Sequence, residues 1–435
     1  MIIAIVIIFI LLCVWKVSYG ACAYIAIRLL IPAQIRMVGV NTSLNTFLLL
    51  ILLFSCIYQQ RKHLYYIYRQ NQLFLKYIFA FIVLLLVCVP FGIVPFKEQL
   101  SAFVQMIITE LIPAICIIMA INSRTSLNYF IVTFLICTII TACYGIFSYI
   151  IKSNPYYMYM ITHYGDVESL RFTFDELTRE KGALSGFSSG MATGGALKWS
   201  QVVLMSIFFL MYNKSFINRH VYQITISLLI INCFLTGQRA AFLSVVIGLA
   251  YIYKSRFTIK TVIISLFAVF SFVVLVESNS SLNRLKANLY SSVFIWDDTY
   301  AHKQGIRGSS YNMRLTQTTA TLKSLAESPL GKGQSYIKVY HEKYGKWGVM
   351  RGFESIIYKS IWESGVFGII GWSLLFFGCY KFSNNTSPSR KIYSDAFFIA
   401  YISTILMTGI QTTLYLFMIQ IAIFYKCNYL RLKKR

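Results

Sequence analysis

The chain has 435 residues, of which 57% are hydrophobic and only 13% charged. Soluble globular chains carry roughly 25% charged residues, so a water-soluble enzyme is excluded and an all-α, polytopic integral membrane helix bundle is expected. The formal net charge of +25 resembles that of a nucleic-acid-binding protein, but apolar stretches interrupt it and much of it sits in short connectors, so nucleic acid is excluded as a partner.

At about 20 residues per crossing, the chain accommodates about 12 transmembrane helices in one continuous domain, 1–435. Spans are expected at 2–19, 44–58, 74–94, 102–121, 127–150, 198–212, 221–236, 240–253, 261–277, 354–380, 394–410 and 412–426. The run Met1–Val14 lacks the basic start of a signal peptide and reads as the first span. Ala21–Ile31 is apolar apart from Arg28 and is followed by Pro32, so it reads as a re-entrant or interfacial piece. Most of the ten cysteines fall inside spans and none in the long loop 278–352, so free thiols are expected. No CxxC or HExxH pattern occurs, and no metal site or cofactor is expected.

Charge orients the bundle. The connectors Arg61–Lys76, Lys254–Lys260, Lys381–Lys391 and Lys426–Arg435 carry Lys and Arg and no Asp or Glu. The positive-inside rule places them in the cytoplasm, with both termini on that side. Connectors of opposite parity carry nearly every carboxylate and include the long outer loop 278–352, itself rich in Arg and Lys. A basic outer loop suits an anionic substrate at the outer surface.

Several residues could carry chemistry. The outer segment 151–197 contains Arg171, Arg179, Lys181 and a glycine-rich stretch, Gly182–Gly195, that lacks the GK[ST] ending of a phosphate-binding loop. It is either a flexible lead into a membrane helix or a backbone that approaches a polar ligand. Arg239, in Thr236-Gly-Gln-Arg239 at the outer boundary, either snorkels to a headgroup or binds phosphate bidentately. The loop segment Tyr311–Ala326 reads as an amphipathic helix, with Leu315, Leu322 and Leu325 on one face and Arg314, Gln317, Thr318 and Thr321 on another. Such a helix rests on the bilayer or caps the bundle before Ser328-Pro329 and Gly331-Lys332-Gly333 break it. Glu354 lies where the loop re-enters the membrane, beside Arg351. It is a candidate general base, or a helix-start carboxylate favoured by the dipole alone. Glu363 lies deeper in the same helix and is, with His341, the next candidate. Glu110 is an intramembrane acid that calls for an Arg partner. Asp297-Asp298, the adjacent acidic pair of the outer loop, reads as a solvated loop.

The order of these elements resembles the O-antigen polymerase and ligase superfamily of bacterial envelope glycosyltransferases. Thr236-Gly-Gln-Arg239 is similar to its Ser/Thr-x-x-Arg element. Arg314 and Pro329-Leu-Gly-Lys-Gly333 are similar to its loop helix and Pro-x-x-Gly-x-Gly turn, with one residue fewer here. Glu363-Ser-Gly-Val-Phe-Gly368 matches its Glu-x-Gly-x-x-Gly ending, and Glu354-Ser355 stands where the ligases have His-Asn. The carboxylate at 354 favours a Wzy-type polymerase over a ligase.

The resemblance implies polymerisation of undecaprenyl-pyrophosphate-linked repeat units on the periplasmic face of the inner membrane, without a metal. Glu354 would deprotonate the acceptor hydroxyl, and Arg239 and Arg314 would hold the pyrophosphate. Arg351, Arg179 and His341 would complete the substrate-binding set. The implied partners are the lipid-linked donor and acceptor, membrane lipids and a chain-length regulator. Two rivals stay open: a ligase that transfers the glycan to lipid A core, and a flippase for lipid-linked oligosaccharides.

Overall fold

The computed structural model describes residues 1–32, 35–37, 42–151, 154–165, 196–212, 218–235, 239–254, 274, 311–344, 353, 355–384, 388–407 and 414–432. These residues are overwhelmingly helical, and their only β-type pairing is an isolated bridge between Arg36 and Ser43. Four helical stretches, Gln72–Phe91, Phe96–Ala120, Arg124–Ser148 and Ile356–Ser383, are long and apolar enough to cross a membrane. Shorter apolar helices surround them. The expected span at 261–277 lies outside the described residues except for Val274.

The N-terminus departs from the expected single span at 2–19. Helix α1 (Ile2–Trp15) stops at Lys16, and α2 (Val17–Leu30) runs on through the stretch read as re-entrant. Gln59, near the end of α3 (Leu44–Gln60), accepts from the Val17 N–H at 2.9 Å and donates to the Cys13 carbonyl at 2.6 Å. These bonds satisfy backbone groups that a break in the membrane would otherwise orphan. A side chain on Gly20 would run into Cys13, so α1 and α2 pack closely beside this turn. The start of α3 is set locally, by Ser43 Oγ accepting the Thr46 N–H at 3.2 Å.

After the short helix α4 (Leu64–Gln70), α5 (Gln72–Cys88) runs the length of the bundle, and α6 (Phe96–Met106) returns. A π-helical turn, Ile107–Leu111, joins α6 to α7 (Ile112–Ala120). Pro113 explains it: with no N–H to give the Thr109 carbonyl, the regular ladder cannot continue. There follow α8 (Arg124–Ile151), α9 (Pro155–Tyr164), α10 (Ala196–Tyr212), α11 (Arg219–Leu235) and α12 (Arg239–Tyr253). The C-terminal part holds α13 (Tyr311–Glu327), α14 (Tyr336–Tyr344), α15 (Ile356–Asn384), α16 (Pro388–Met407) and α17 (Leu414–Leu432). Buried polar ties hold the centre together, as interhelical hydrogen bonds do in bilayers. Trp199 Nε1 donates to Asn232 at 2.6 Å, Asn232 donates to the Ala142 carbonyl at 2.8 Å, and Ser206 bonds Thr138 at 3.1 Å.

Ring stacking shows which helix ends lie together. Phe382 stacks on Phe74 with centroids 4.6 Å apart and on Tyr425 at 4.1 Å. Asp395 feels the charges of Lys391 and Lys254 and bonds Tyr251. The acid-free basic connectors therefore gather at one end of the bundle. The Lys16 turn lies at that same end, beside Gln59 and the Arg61 connector. Met1 thus sits at the end of α1 away from the basic connectors, whereas the sequence reading puts both termini on the basic side. All ten cysteines are free thiols.

Candidate active site

The residues between α13 and α14 form a turn that docks into a break in α15. Gly331 and Gly333 have φ of +85° and +107°, and Ser335 has φ of 64°. α15 leaves helical geometry at Gly365, φ 56° and ψ −138°. An unbroken helix would give the Val366 N–H to the Trp362 carbonyl. Here Val366 donates to the Pro329 carbonyl at 2.9 Å, and the Trp362 carbonyl accepts from Lys332 at 2.7 Å. Gly333 donates to the Glu363 carbonyl at 3.0 Å. Turn and helix exchange backbone partners, so the break leaves these groups satisfied. The Pro-x-Gly-x-Gly and Glu-x-Gly-x-x-Gly elements are two halves of one joint.

Side chains lock it. Glu363, 3% exposed, accepts from the Ser335 N–H at 3.1 Å and lies 3.7 Å from Lys359 Nζ. The carboxylate thereby pins a non-glycine residue in a left-handed conformation that costs about 1–2 kcal/mol. Gln334 donates to Ser364 Oγ at 2.8 Å. From the other side, Gln99 of α6 accepts from the Gln334 N–H at 3.2 Å and donates to the Val94 carbonyl at 2.7 Å. Ile93 donates to the Lys332 carbonyl at 2.9 Å, and Cys88 Sγ donates to the Ser364 carbonyl at 3.3 Å. The joint therefore ties the long loop to α5, α6 and α15 together.

The loop helix α13 packs with its polar face inward. Gln317, Thr321 and Ser324 are buried, whereas Leu315 and Leu322 are 58% and 60% exposed. Thr321 accepts from Trp362 Nε1 at 2.9 Å, and Thr318 shares a 2.6 Å hydrogen bond with Tyr358. Of the two placements expected for this helix, its polar face takes the capping one, and Leu315 and Leu322 point away from the bundle. Arg314 is half-buried, and its carbonyl receives bonds from Thr318 at 2.8 Å and Tyr358 at 3.5 Å. This brings the Arg314 helix to the first turn of α15. Ser355 opens that turn, with its Oγ accepting the Ile357 N–H at 3.2 Å.

An aromatic and cationic group flanks the joint. Tyr336 stacks on Trp362 at 5.4 Å, and Lys332 Nζ lies 4.5 Å from the Trp362 ring centroid and 3.8 Å from Glu327. Burial pushes the Tyr336 hydroxyl above the ordinary tyrosine range, so it stays a neutral donor. His341, in the last turn of α14, is half-buried with its ring 6.4 Å from Tyr340.

Of the residues proposed from sequence, Arg314 and Glu363 converge on α15 and His341 lies on the adjoining α14. Arg239 opens α12, and its side chain lies outside the described residues, as do Glu354, Arg351, Arg179 and the Asp297-Asp298 pair. Sequence reasoning passes over Gln99, Gln334 and Lys359. Only the i, i+4 spacing of Lys359 and Glu363 signals one of them. Among the described residues no group of His, Cys, Asp and Glu is arranged to hold a metal ion.

No curated protein matches the chain. The O-antigen ligase family does match, over residues 224–373. That segment contains Thr236–Arg239, the docked turn and the broken start of α15, the same elements that carry the resemblance in sequence. The described residues thus form a helical protein with four helices long and apolar enough to cross a membrane, and its segment 224–373 is similar to the O-antigen ligase family.

Proposed function

We propose that the protein polymerises undecaprenyl-pyrophosphate-linked oligosaccharide repeat units at the periplasmic face of the bacterial inner membrane. The observation that carries this reading is the joint between Pro329–Gly333 and Gly365, which brings the Arg314 helix to the start of α15, two residues after Glu354. In the proposed step an acceptor sugar hydroxyl attacks the anomeric carbon of the donor. The bond from that carbon to the pyrophosphate oxygen breaks, and lipid pyrophosphate departs. The hydroxyl proton passes to the Glu354 carboxylate. Arg239 and Arg314 take up the charge that develops on the pyrophosphate, while Arg351, Arg179 and His341 line the approach. Pyrophosphate is a good leaving group, so fixed positive charge suffices and no metal is invoked.

The clustering of basic connectors at one end supports a cytoplasmic assignment for that end. The joint then faces the periplasm, the C-terminus lies in the cytoplasm, and Met1 begins on the outer side of α1. Alkaline phosphatase fused at Lys303 and at Lys343 is expected to be active. Two well-expressed but inactive fusions would reverse the orientation.

Ligation to lipid A core is the second reading, favoured by the description of the matching family. The surface glycan of a deletion strain separates the two. Single repeats on the surface indicate a polymerase, and full-length polymer retained on the undecaprenyl carrier indicates a ligase. Complementation with Arg314→Ala or Arg239→Lys is expected to leave short chains at normal protein level, since lysine keeps the charge but loses the bidentate fork. Normal-length polymer from both variants would remove these residues from donor binding.

A further inference from the structure

The bundle holds a second group of charges that the proposed step does not use. Glu110 sits on the π-helical turn, 5% exposed, with Oε2 accepting the Tyr415 N–H at 3.0 Å. Arg28 lays its guanidinium over the Tyr415 ring, 4.3 Å from the centroid. Tyr24, one turn earlier on α2, is buried beside it. Lys198, in the first turn of α10, is an electrostatic neighbour of both Arg28 and Glu110. Arg28 thus acts electrostatically on Glu110, the charge that the sequence calls for, and Lys198 is an additional cation.

Charge and access both point one way. Arg28, Lys198 and Lys359 all act on Glu110, and Lys359 is itself paired with Glu363, which leaves a net positive charge among membrane helices, where an uncompensated charge is costly. Glu110, Tyr24 and Tyr415 are buried, whereas Arg28 and Lys198 remain half-buried. The reachable groups are therefore the positive ones. α2 ends, and α10 and α17 begin, away from the basic connectors, so the group lies toward the end of the bundle that holds the joint. The carboxylate sits on a π-turn, a distortion frequent at functional sites.

We infer that Arg28 and Lys198 form an anion site for the phosphate of a membrane lipid, with Glu110 and Tyr415 as its floor. The guanidinium is held against the ring, so little freedom is lost when it takes a phosphate, and the lysine adds a point charge. The phosphate belongs either to a lipid-linked glycan or to a bilayer phospholipid. Only the first identity rests on the proposed function.

The test is lipid binding by the full-length protein in neutral-lipid nanodiscs, titrated with undecaprenyl pyrophosphate and separately with phosphatidylglycerol. Lys198→Gln is expected to weaken binding of the pyrophosphate lipid about tenfold or more, and Arg28→Gln at least as much. Glu110→Gln removes the opposing charge and is expected to tighten it. Arg28→Gln strips Glu110 of its partner and can unfold the bundle. Lys198→Gln leaves the Arg28–Glu110 pair in place, so it decides the matter. Unchanged affinity in Lys198→Gln, or a wild type that binds neither lipid, overturns the site. If phosphatidylglycerol binding depends on Lys198 while undecaprenyl pyrophosphate does not bind, the anion site stands and the polymerase reading falls.

Discussion

Replacing Glu354 by glutamine is expected to collapse the polymer to single repeats while the protein stays folded and still binds the lipid-linked donor. A positioned general base contributes typically 10²–10⁴-fold, and glutamine keeps the shape of the side chain without the proton acceptor. Glu354→Asp is expected to retain partial activity, because the carboxylate is withdrawn by one methylene only. The competing role, a helix-start charge, predicts another pattern: at most about 1 kcal/mol of stability lost and activity almost intact. Ser355 already supplies a side-chain oxygen to the first turn of α15, which leaves little for that competing role. Turnover of purified variants on lipid-linked repeats separates the outcomes. Near wild-type turnover in Glu354→Gln would end the base assignment. His341 would then be the better next candidate, since Glu363 is buried and committed to Ser335 and Lys359.

A comparable loss is expected from Gly365→Ala, by a different route. At φ 56° and ψ −138° a residue with a Cβ is strained by about 1–3 kcal/mol. The added methyl would also collide with the carbonyl oxygen of Pro329, the acceptor of the Val366 N–H. Helix and turn cannot both keep their places, so residues 329–335 should leave α15 and carry the Arg314 helix with them. The expected readout is a lower Tm, faster amide exchange across 329–335 and short glycan chains. Gly371→Ala, in the same helix, is the control. Its Cβ would meet no atom closer than 3.4 Å, and alanine is the better helix former by about 1 kcal/mol. Equal behaviour of the two variants would mean that the joint at Gly365 is not what holds the loop.

Much of this protein is legible in one dimension. Apolar runs and acid-free basic connectors depend only on local composition, and the bilayer reads composition directly. The helices at 44–60, 124–151, 196–212 and 219–235 accordingly fall close to the expected spans. The order of the Arg239, Pro329–Gly333 and Glu363–Gly368 elements is also a property of the sequence, and the family match covers it. The break at Lys16 is not legible, because it depends on Gln59, more than forty residues away, to take up the freed backbone groups. The inward polar face of α13 is another such case. Amphipathicity states that two faces differ, but Tyr358 and Trp362 decide which one is covered. Glycines in two separate motifs announce turns, yet only folding shows that each motif accepts the other's hydrogen bonds. Arg28 and Glu110 are each visible as charges in apolar surroundings, whereas Lys198 is passed over. Their proximity was decided by tertiary structure alone, because helices distant in sequence must pack before their charges can act on one another.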